Sequence, residues 1–320
     1  MKEAKAKQEE SGTKGKHNNN LENKGRITKE VNKIISEELL FLNGHYDYDL
    51  NQYYHCELIY GSCFLAFFNL EEIKNFSLNQ SICLNNYSSD KKDKNLITAD
   101  TWKILNLIAG FELLGIGINV HGTAENIIKN IYSEKENLIE DIDKNYTLEL
   151  LFGDIFYSRA VIYLINYDDF FVFEDILNSL LQLHYSRLTM HQKLIKFSDE
   201  ISEGRIFYKL KENIAEIKNL NALLKSAFLI GLGASDFKLD FNNYAINLRI
   251  IDNLVLFKTY SDMENYLKEI PAEIKNSGRD EYLSLIRSKK ESLMSRIDKD
   301  IYLIKPLWLR NNFSNLAKLF

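Results

Sequence analysis

The chain has 320 residues, of which 45% are hydrophobic, so we expect a sizeable globular body with a large core. Its net charge of -5 is spread without a basic stripe, which argues against a nucleic-acid partner and against electrostatic binding to anionic lipid. Three cysteines without a CxxC pair fit a reducing cytosol better than a disulfide framework or a zinc site. No uninterrupted apolar run is long enough for a transmembrane segment and no secretory signal begins the chain, so we expect a cytoplasmic protein.

The first segment of the chain is polar. Residues 1–27 consist largely of Lys, Glu, Asn and Gly, and such a segment buries too little apolar surface to offset its ordering entropy. We therefore predict a disordered tail over 1–27 and a single folded domain over 28–320. A second polar segment, residues 85–95, is predicted to be a loop inside that domain.

Three long apolar segments with helical periodicity follow in chain order. Residues 102–120 are apolar nearly all round, residues 148–164 share this pattern, and residues 241–257 carry apolar side chains at helical spacing. Gly115 and Gly117 weaken the first of these helices and are expected to let a neighbouring helix approach closely. Because the chain has only two prolines, these patterns predict an all-α bundle.

The C-terminal third is also predicted to be helical. Ser261 and Glu264 form a capping-box pattern, which predicts that a new helix begins there. Gly278 is expected to end this short helix, and a further helix is predicted over 280–301. The sequence contains no Gly-rich phosphate loop, HExxH or GxSxG pattern, so the residues alone indicate a large helical protein without a recognisable catalytic motif.

Two apolar segments resemble helices of the trans-polyprenyl diphosphate synthase family. The segment LLFGDIFYSRAVIYL (Leu150–Leu164) is similar to the family helix that begins with a Gly-Asp pair. Upstream, LIAGFELLGIGINVHGTAEN (Leu107–Asn126) is similar to the helix that carries the first aspartate-rich motif, with Glu112 at the family's glutamate position. The resemblance implies an all-α fold of the isoprenoid synthase type.

Two segments further along the chain continue this resemblance in the family's order. Lys225, with the Ser and Ala that follow it, resembles the family's Lys-Thr-Ala triplet. The segment YAINLRIIDNLVLF (Tyr244–Phe257) resembles the helix that carries the second aspartate-rich motif. Together the four segments span roughly residues 100–271.

The positions that match the two aspartate-rich motifs have lost most of their carboxylates. In catalytic members, two DDxxD motifs hold magnesium ions against the diphosphate of an allylic substrate. One of the six aspartates remains here, so the resemblance implies no catalytic residue and no metal site in this chain. The first-motif positions are His121, Gly122, Thr123 and Asn126, and the second-motif positions are Arg249, Asp252, Asn253 and Leu256.

Three polar residues at these positions have both a functional and an ordinary explanation. His121 is either a relic of a diphosphate-proximal histidine or a hydrogen-bonded core residue. Asp252 either retains a cation or is a solvated or salt-bridged aspartate, since one carboxylate is too few for stable magnesium binding. Lys225 either keeps a residual contact to diphosphate as a point charge or is a surface lysine.

The family also assembles across a two-fold axis through packed helices. The predicted helix over 148–164 is apolar on more than one face, so we expect part of it to contact another subunit. The residues assigned to this family helix and interface are Gly153, Asp154, Tyr157, Arg159 and Ile162.

The resemblance is strongest to the non-catalytic component of two-component long-chain synthases, such as heptaprenyl diphosphate synthase, whose product supplies menaquinone side chains. It implies a heterodimer with a catalytic polyprenyl diphosphate synthase subunit that supplies the magnesium, while this chain needs no cofactor of its own. A homodimer remains an alternative when that partner is absent. Two other functions stay open: a diverged prenyltransferase or terpenoid enzyme with an unusual metal site, and a prenyl diphosphate binding protein without chemistry.

Overall fold

The structure is a computed structural model that describes residues 24–43, 50–54, 57–69, 99–133, 139–200, 219–235, 241–269 and 278–320. These residues form helices joined by turns, and no β-strand occurs among them, so the predicted all-α class is confirmed. The helices are α1 (residues 24–43), α2 (Ile59–Phe64), α3 (Ala99–Ser133), α4 (Ile139–Ile165), α5 (Phe170–Glu200), α6 (Ala222–Ala234), α7 (Phe241–Glu269), α8 (Gly278–Leu303) and α9 (Leu307–Leu319).

The chain divides into two compact units. Unit 1 comprises Met1–Gly61 and Asn69–Asp169, and unit 2 comprises Ser62–Phe68 and Phe170–Phe320. The domain predicted over 28–320 therefore contains both units. The chain passes from the first unit to the second within α2, returns after Phe68, and passes again between α4 and α5.

The boundary predicted for the disordered tail falls inside α1. Ile27, Val31 and Ile35 are fully buried, and their spacing of four places them along one side of the helix. The tail prediction is therefore wrong for residues 24–27, because the first apolar side chain of this stripe already belongs to the core. The rest of the predicted tail, residues 1–23, lies outside the described residues.

The centre of unit 1 is the close pair formed by α3 and α4. A Cβ at Gly110 would lie 2.6 Å from Leu164, and one at Gly117 would lie 2.6 Å from the Tyr157 ring. The predicted close approach at Gly117 is thus present, since only a residue without a side chain lets the two helices meet here. At Gly115 a Cβ would overlap the Tyr60 ring, so that glycine admits a ring from α2.

One segment of α3 is long and apolar enough to cross a membrane by length and composition. It spans Thr101–Gly122, and 83% of its most apolar window is buried inside the protein. Such burial is typical of a core helix, because the apolar side chains are already covered by other parts of the chain. The helices predicted over 102–120, 148–164 and 241–257 are all present, as parts of α3, α4 and α7.

Unit 2 combines the helices from α5 onward with the short segment Ser62–Phe68. The Phe64 backbone packs against Gly231 of α6 so closely that any Cβ at Gly231 would overlap it. The Phe67 ring meets Phe313 edge to face with 5.4 Å between the ring centroids. The Asn312 side-chain amide donates to the Ala66 carbonyl oxygen at 3.0 Å. This segment is therefore part of the unit 2 core, although it lies far from the rest of that unit in sequence.

The capping box predicted at Ser261 and Glu264 is not present. Both residues lie inside α7, which continues without a break to Glu269, so no new helix begins there. The Glu264 carboxylate instead accepts hydrogen bonds from side chains of α8. The helix predicted over 280–301 is observed as α8, which begins at Gly278. The predicted loop at 85–95 lies outside the described residues, as do Cys56 and Cys83, whereas Cys63 is buried.

Candidate functional site

The first-motif region consists of the second half of α3 and the part of α4 that packs on it. His121 lies at its centre, with 17% of its side chain exposed. Its Nε2 atom is 3.2 Å from the Leu150 carbonyl oxygen and 3.4 Å from the Asp154 carboxylate, and its ring meets the Tyr157 ring edge to face at 4.9 Å. His121 is therefore a packed and hydrogen-bonded side chain of the α3–α4 contact.

Gly153 explains why the His121 ring fits against α4. A Cβ at this position would overlap the imidazole, so the glycine of the Gly-Asp pair provides the space for the ring. Gly122 is half-buried, and Thr123 and Asn126 lie further along α3, where the side chains are outside the described part of the chain. The first of the four positions, His121, therefore carries a side chain that packs on α4.

Glu112 lies on α3 on the N-terminal side of His121 and is buried. Its carboxylate accepts the Gly61 amide hydrogen at 2.8 Å and also bonds the amides of Tyr60 and Ile59, which form the first turn of α2. Burial nevertheless raises the pKa of Glu112 to about 8, against the lowering effect of these hydrogen bonds. Glu112 therefore positions α2 mainly as a neutral carboxylic acid at pH 7.

The residues predicted for the α4 interface divide into two groups. Gly153, Tyr157 and Arg159 are used inside unit 1. The Arg159 Nε atom donates to the Glu38 carboxylate of α1 at 2.6 Å. Asp154 and Ile162, in contrast, are exposed. A second subunit that contacted α4 would therefore meet the side of the helix that carries these two residues.

Glu38 is a buried carboxylate that the sequence alone did not single out. Its side chain is 4% exposed and is bound by both the Arg159 guanidinium and the Tyr163 hydroxyl, which donates at 2.7 Å. The hydrogen bond that Arg159 donates to Glu38 raises the pKa of Arg159, and burial is the largest cause that raises the pKa of Tyr163. The cluster fixes α1 on α4.

The second-motif region lies on α7 in unit 2. Arg249, Asp252, Asn253 and Leu256 are separated by three, one and three residues, so they share one side of the helix. Arg249 and Asp252 are exposed, and the other two are half-buried. On the neighbouring helix α6, the Lys225 Nζ atom lies 2.7 Å from the Asp252 carboxylate. Asp252 is thus salt-bridged to the neighbouring helix.

Arg249 is also paired within unit 2. Its guanidinium lies 2.8 Å from the Asp300 carboxylate of α8, a side chain that is 15% exposed. The hydrogen bond that Arg249 donates to Asp300 raises the pKa of Arg249. Arg249 therefore ties α7 to α8 and is directed to a carboxylate of its own unit.

Glu264 is the most highly coordinated carboxylate of the described residues of unit 2. It contacts Lys290 at 3.0 Å, Lys268 at 3.0 Å and Arg287 at 3.1 Å. Hydrogen bonds from Lys290, then Lys268, lower the pKa of Glu264 to about 2. Sequence reasoning missed this cluster because Ser261 and Glu264 match a local capping pattern, whereas two of the three cations come from α8.

Within the described residues, no group of three or more His, Cys, Asp and Glu side chains could hold a metal ion. Asp252, the one motif carboxylate, has an ammonium group as its neighbour. An arrangement of this kind can bind helices to each other, but it offers no pair of free carboxylates for a shared cation. No family model matches the chain, and no curated protein or solved structure matches it either.

Proposed function

We propose that this chain is a non-catalytic subunit of a heteromeric long-chain polyprenyl diphosphate synthase, acting in the cytosol beside a catalytic subunit with intact aspartate motifs. The observation that carries the proposal is the salt bridge between Lys225 and Asp252, with 2.7 Å between Nζ and the carboxylate. The resemblance assigns one of these residues to diphosphate and the other to a magnesium ion. Here they neutralise each other.

The surroundings of both motif positions support the same proposal. Arg249, which replaces a neutral amide of the family, pairs with Asp300. His121 packs between Gly153 and Tyr157. His121, Arg249, Lys225 and Asp252, which stand at family positions for substrate or metal, therefore each have a partner within this chain. Such pairing stabilises helices that bind no metal ion, because the charged side chains on their faces would otherwise lack a partner.

The test compares the chain alone with the chain beside a catalytic subunit. The purified full-length chain is assayed with isopentenyl diphosphate, farnesyl diphosphate and Mg²⁺, and we expect no prenyl product. The same assay follows co-expression with a paralogue from the same genome that has both DDxxD motifs, and we expect co-purification and a higher rate or a longer product. Turnover by the chain alone would overturn the proposal. So would the finding that the chain binds and activates none of these paralogues.

The matched control uses the aspartate that remains. Asp252→Asn removes the last motif carboxylate and leaves the side-chain shape nearly unchanged. In a non-catalytic subunit this substitution leaves the activity of the complex unaltered. In a diverged enzyme that uses Asp252 for magnesium, it lowers the rate by orders of magnitude. Isothermal titration with Mg²⁺ and farnesyl diphosphate tests the remaining alternative, a prenyl diphosphate binding protein. Such a protein would bind the ligand without turnover.

A further inference from the structure

One helix of unit 2 carries an exposed apolar stripe. It lies on α5, where six large apolar side chains have exposed fractions between 39% and 78%. The buried residues of the same helix, Ile176, Leu183 and Ser186, lie on the opposite side, since successive residues of an α-helix are rotated by about 100°. We call the following residues the α5 stripe: Phe170, Phe171, Leu177, Leu181, Tyr185 and Leu188.

The intervals between the apolar residues of the stripe are the same when counted from either end. Phe170, Leu177, Leu181 and Leu188 follow one another at intervals of seven, four and seven residues and fall within about 40° of each other around the helix. Two antiparallel copies of α5, related by a two-fold axis opposite residue 179, would place Leu177 of each copy against Leu181 of the other. Phe170 would meet Leu188 in the same way. A surface with this property is self-complementary, as a two-fold interface requires.

The charge on the stripe fits the same arrangement. Among the α5 side chains that the structure describes, Glu174 is the charged one that lies between the apolar residues of this face. Because it lies five residues from the two-fold position, the two copies of Glu174 would stand about 15 Å apart along the helices and would not repel each other strongly. Each would instead lie opposite His184 of the second copy and next to its Tyr185, whose hydroxyl can donate to the carboxylate.

The exposed area is sufficient for a weak to moderate dimer. At roughly 100 Å² of exposed surface for each large side chain, the six residues expose on the order of 600 Å², which is at the upper end of the apolar patches found on monomeric proteins. Two copies would bury about 1,200 Å² through these side chains, which is the lower limit of specific protein interfaces.

We propose that the α5 stripe is a self-association surface that joins two copies of this chain through antiparallel α5 helices. The proposal does not depend on the proposed function, which concerns a different partner and the exposed side of α4. It makes the chain a two-fold dimer in which each copy covers the apolar stripe of the other.

The test is the mass of the full-length chain in solution, measured by sedimentation and light scattering under reducing conditions. We expect a dimer for the wild type and a monomer for Leu181→Glu, with an unchanged helical circular dichroism spectrum. Leu307→Glu is the matched control, because Leu307 on α9 is also an exposed leucine but lies outside the stripe. This control is expected to remain dimeric.

A charge-pair experiment tests the antiparallel pairing itself. Leu177→Glu and Leu181→Lys should each dissociate the dimer when present alone, and an equimolar mixture should associate again, because position 177 of one copy meets position 181 of the other. A monomeric wild type, or a Leu181→Glu variant that stays dimeric, would overturn the proposal. It would also be overturned if the stripe were needed only for binding the catalytic paralogue, since a different protein would then cover it.

Discussion

The two units place a carboxyl group in opposite electrostatic environments. In unit 1, α3 and α4 meet through glycine and ring contacts, and the buried carboxyl of Glu112 has its pKa raised to about 8. In unit 2, the helices meet through charged pairs, and three cations lower the pKa of Glu264 to about 2. The comparison teaches that burial keeps the proton on a carboxyl group in unit 1, whereas neighbouring cations remove it from a carboxyl group in unit 2.

The comparison predicts opposite responses to pH, and the chain offers a probe for each. It has two tryptophans, Trp102 in unit 1 and Trp308 in unit 2. Trp308→Phe leaves the fluorescence of Trp102 as a reporter of unit 1, and Trp102→Phe leaves Trp308 as a reporter of unit 2. If both reporters follow the same pH profile in every variant below, the contrast between the units is wrong.

The largest effect is expected at Glu112. Its pKa is about 8 in the folded protein and 4.5 ordinarily, so the folded state holds the proton more tightly. Its contribution to stability is fully present below pH 4.5 and is lost as pH rises through 8. The free energy of unfolding of unit 1 should fall by up to about 1.4 kcal/mol per pH unit in this window.

Glu112→Gln should remove most of that slope, because the amide keeps the shape and the acceptor oxygen but does not titrate. Urea denaturation of the Trp102 reporter at pH 5.5 and pH 8 measures the difference. An equal slope in the variant and the wild type would show that another group controls the alkaline loss of stability. Glu57, which is exposed, provides the control, and Glu57→Gln is expected to leave the slope unchanged.

The second effect concerns the packing at Gly153. Gly153→Ala should lower the free energy of unfolding of unit 1 by about 1–3 kcal/mol, because the new Cβ overlaps the His121 ring. Adding His121→Ala should restore part of the loss. Gly233→Ala is the matched control, because Gly233 lies in α6 with open space around it. This substitution should raise the free energy of unfolding of unit 2 by about 0.5–1 kcal/mol. Equal effects at both glycines would mean that helix propensity, and not the ring contact, decides.

A smaller effect is expected from Glu264 in unit 2. Its pKa is about 2 in the folded protein, so its contribution is present above pH 4.5 and is lost as pH falls from 4.5 towards 2. The Lys268 and Arg287 side chains are 50% and 58% exposed. This exposure weakens their interaction with Glu264 and makes it sensitive to salt.

Glu264→Gln should therefore destabilise unit 2 at pH 6 and have a smaller effect at pH 3, as measured with the Trp308 reporter. High salt should reduce the difference at pH 6. A variant that is equally destabilised at both pH values would indicate that the side chain acts through packing and not through its charge.

The smallest effect is expected at the salt bridge of the second-motif region. Lys225 and Asp252 are about half exposed, so Asp252→Asn should change the free energy of unfolding by less than about 1 kcal/mol. Lys225→Met should have a similarly small effect. A larger loss, or a loss of Mg²⁺-dependent stabilisation in the wild type, would show that Asp252 does more than pair with its neighbour.

The helices of this chain could be predicted from sequence because their signals are local. The apolar segments of α3, α4 and α7 reveal themselves within about twenty residues, and Gly117 indicated a close helix contact that the structure contains. The partners of the charged residues could not be predicted in this way. Arg159 and Glu38 are 121 residues apart, and no spacing rule connects them.

The capping-box prediction failed for a related reason. Ser261 and Glu264 match the pattern of a helix start, but tertiary partners on α8 use the carboxylate, and α7 continues through both residues. The end of the predicted tail was misplaced because Ile27 is a single apolar residue at the edge of a polar segment. Its burial depends on α1 packing in unit 1, which local composition does not report.

The segment Ser62–Phe68 also determines the order in which the protein can fold during synthesis. Asn312, which binds the Ala66 carbonyl, is made 246 residues after it. At about 5–20 residues per second, the ribosome needs on the order of 12–50 s to supply that partner. Phe64 and Phe67 must therefore wait, already synthesised, while the intervening chain emerges. Unit 2 completes its core only when the last helix is released, and nascent chains are most exposed to aggregation and to chaperones during this interval.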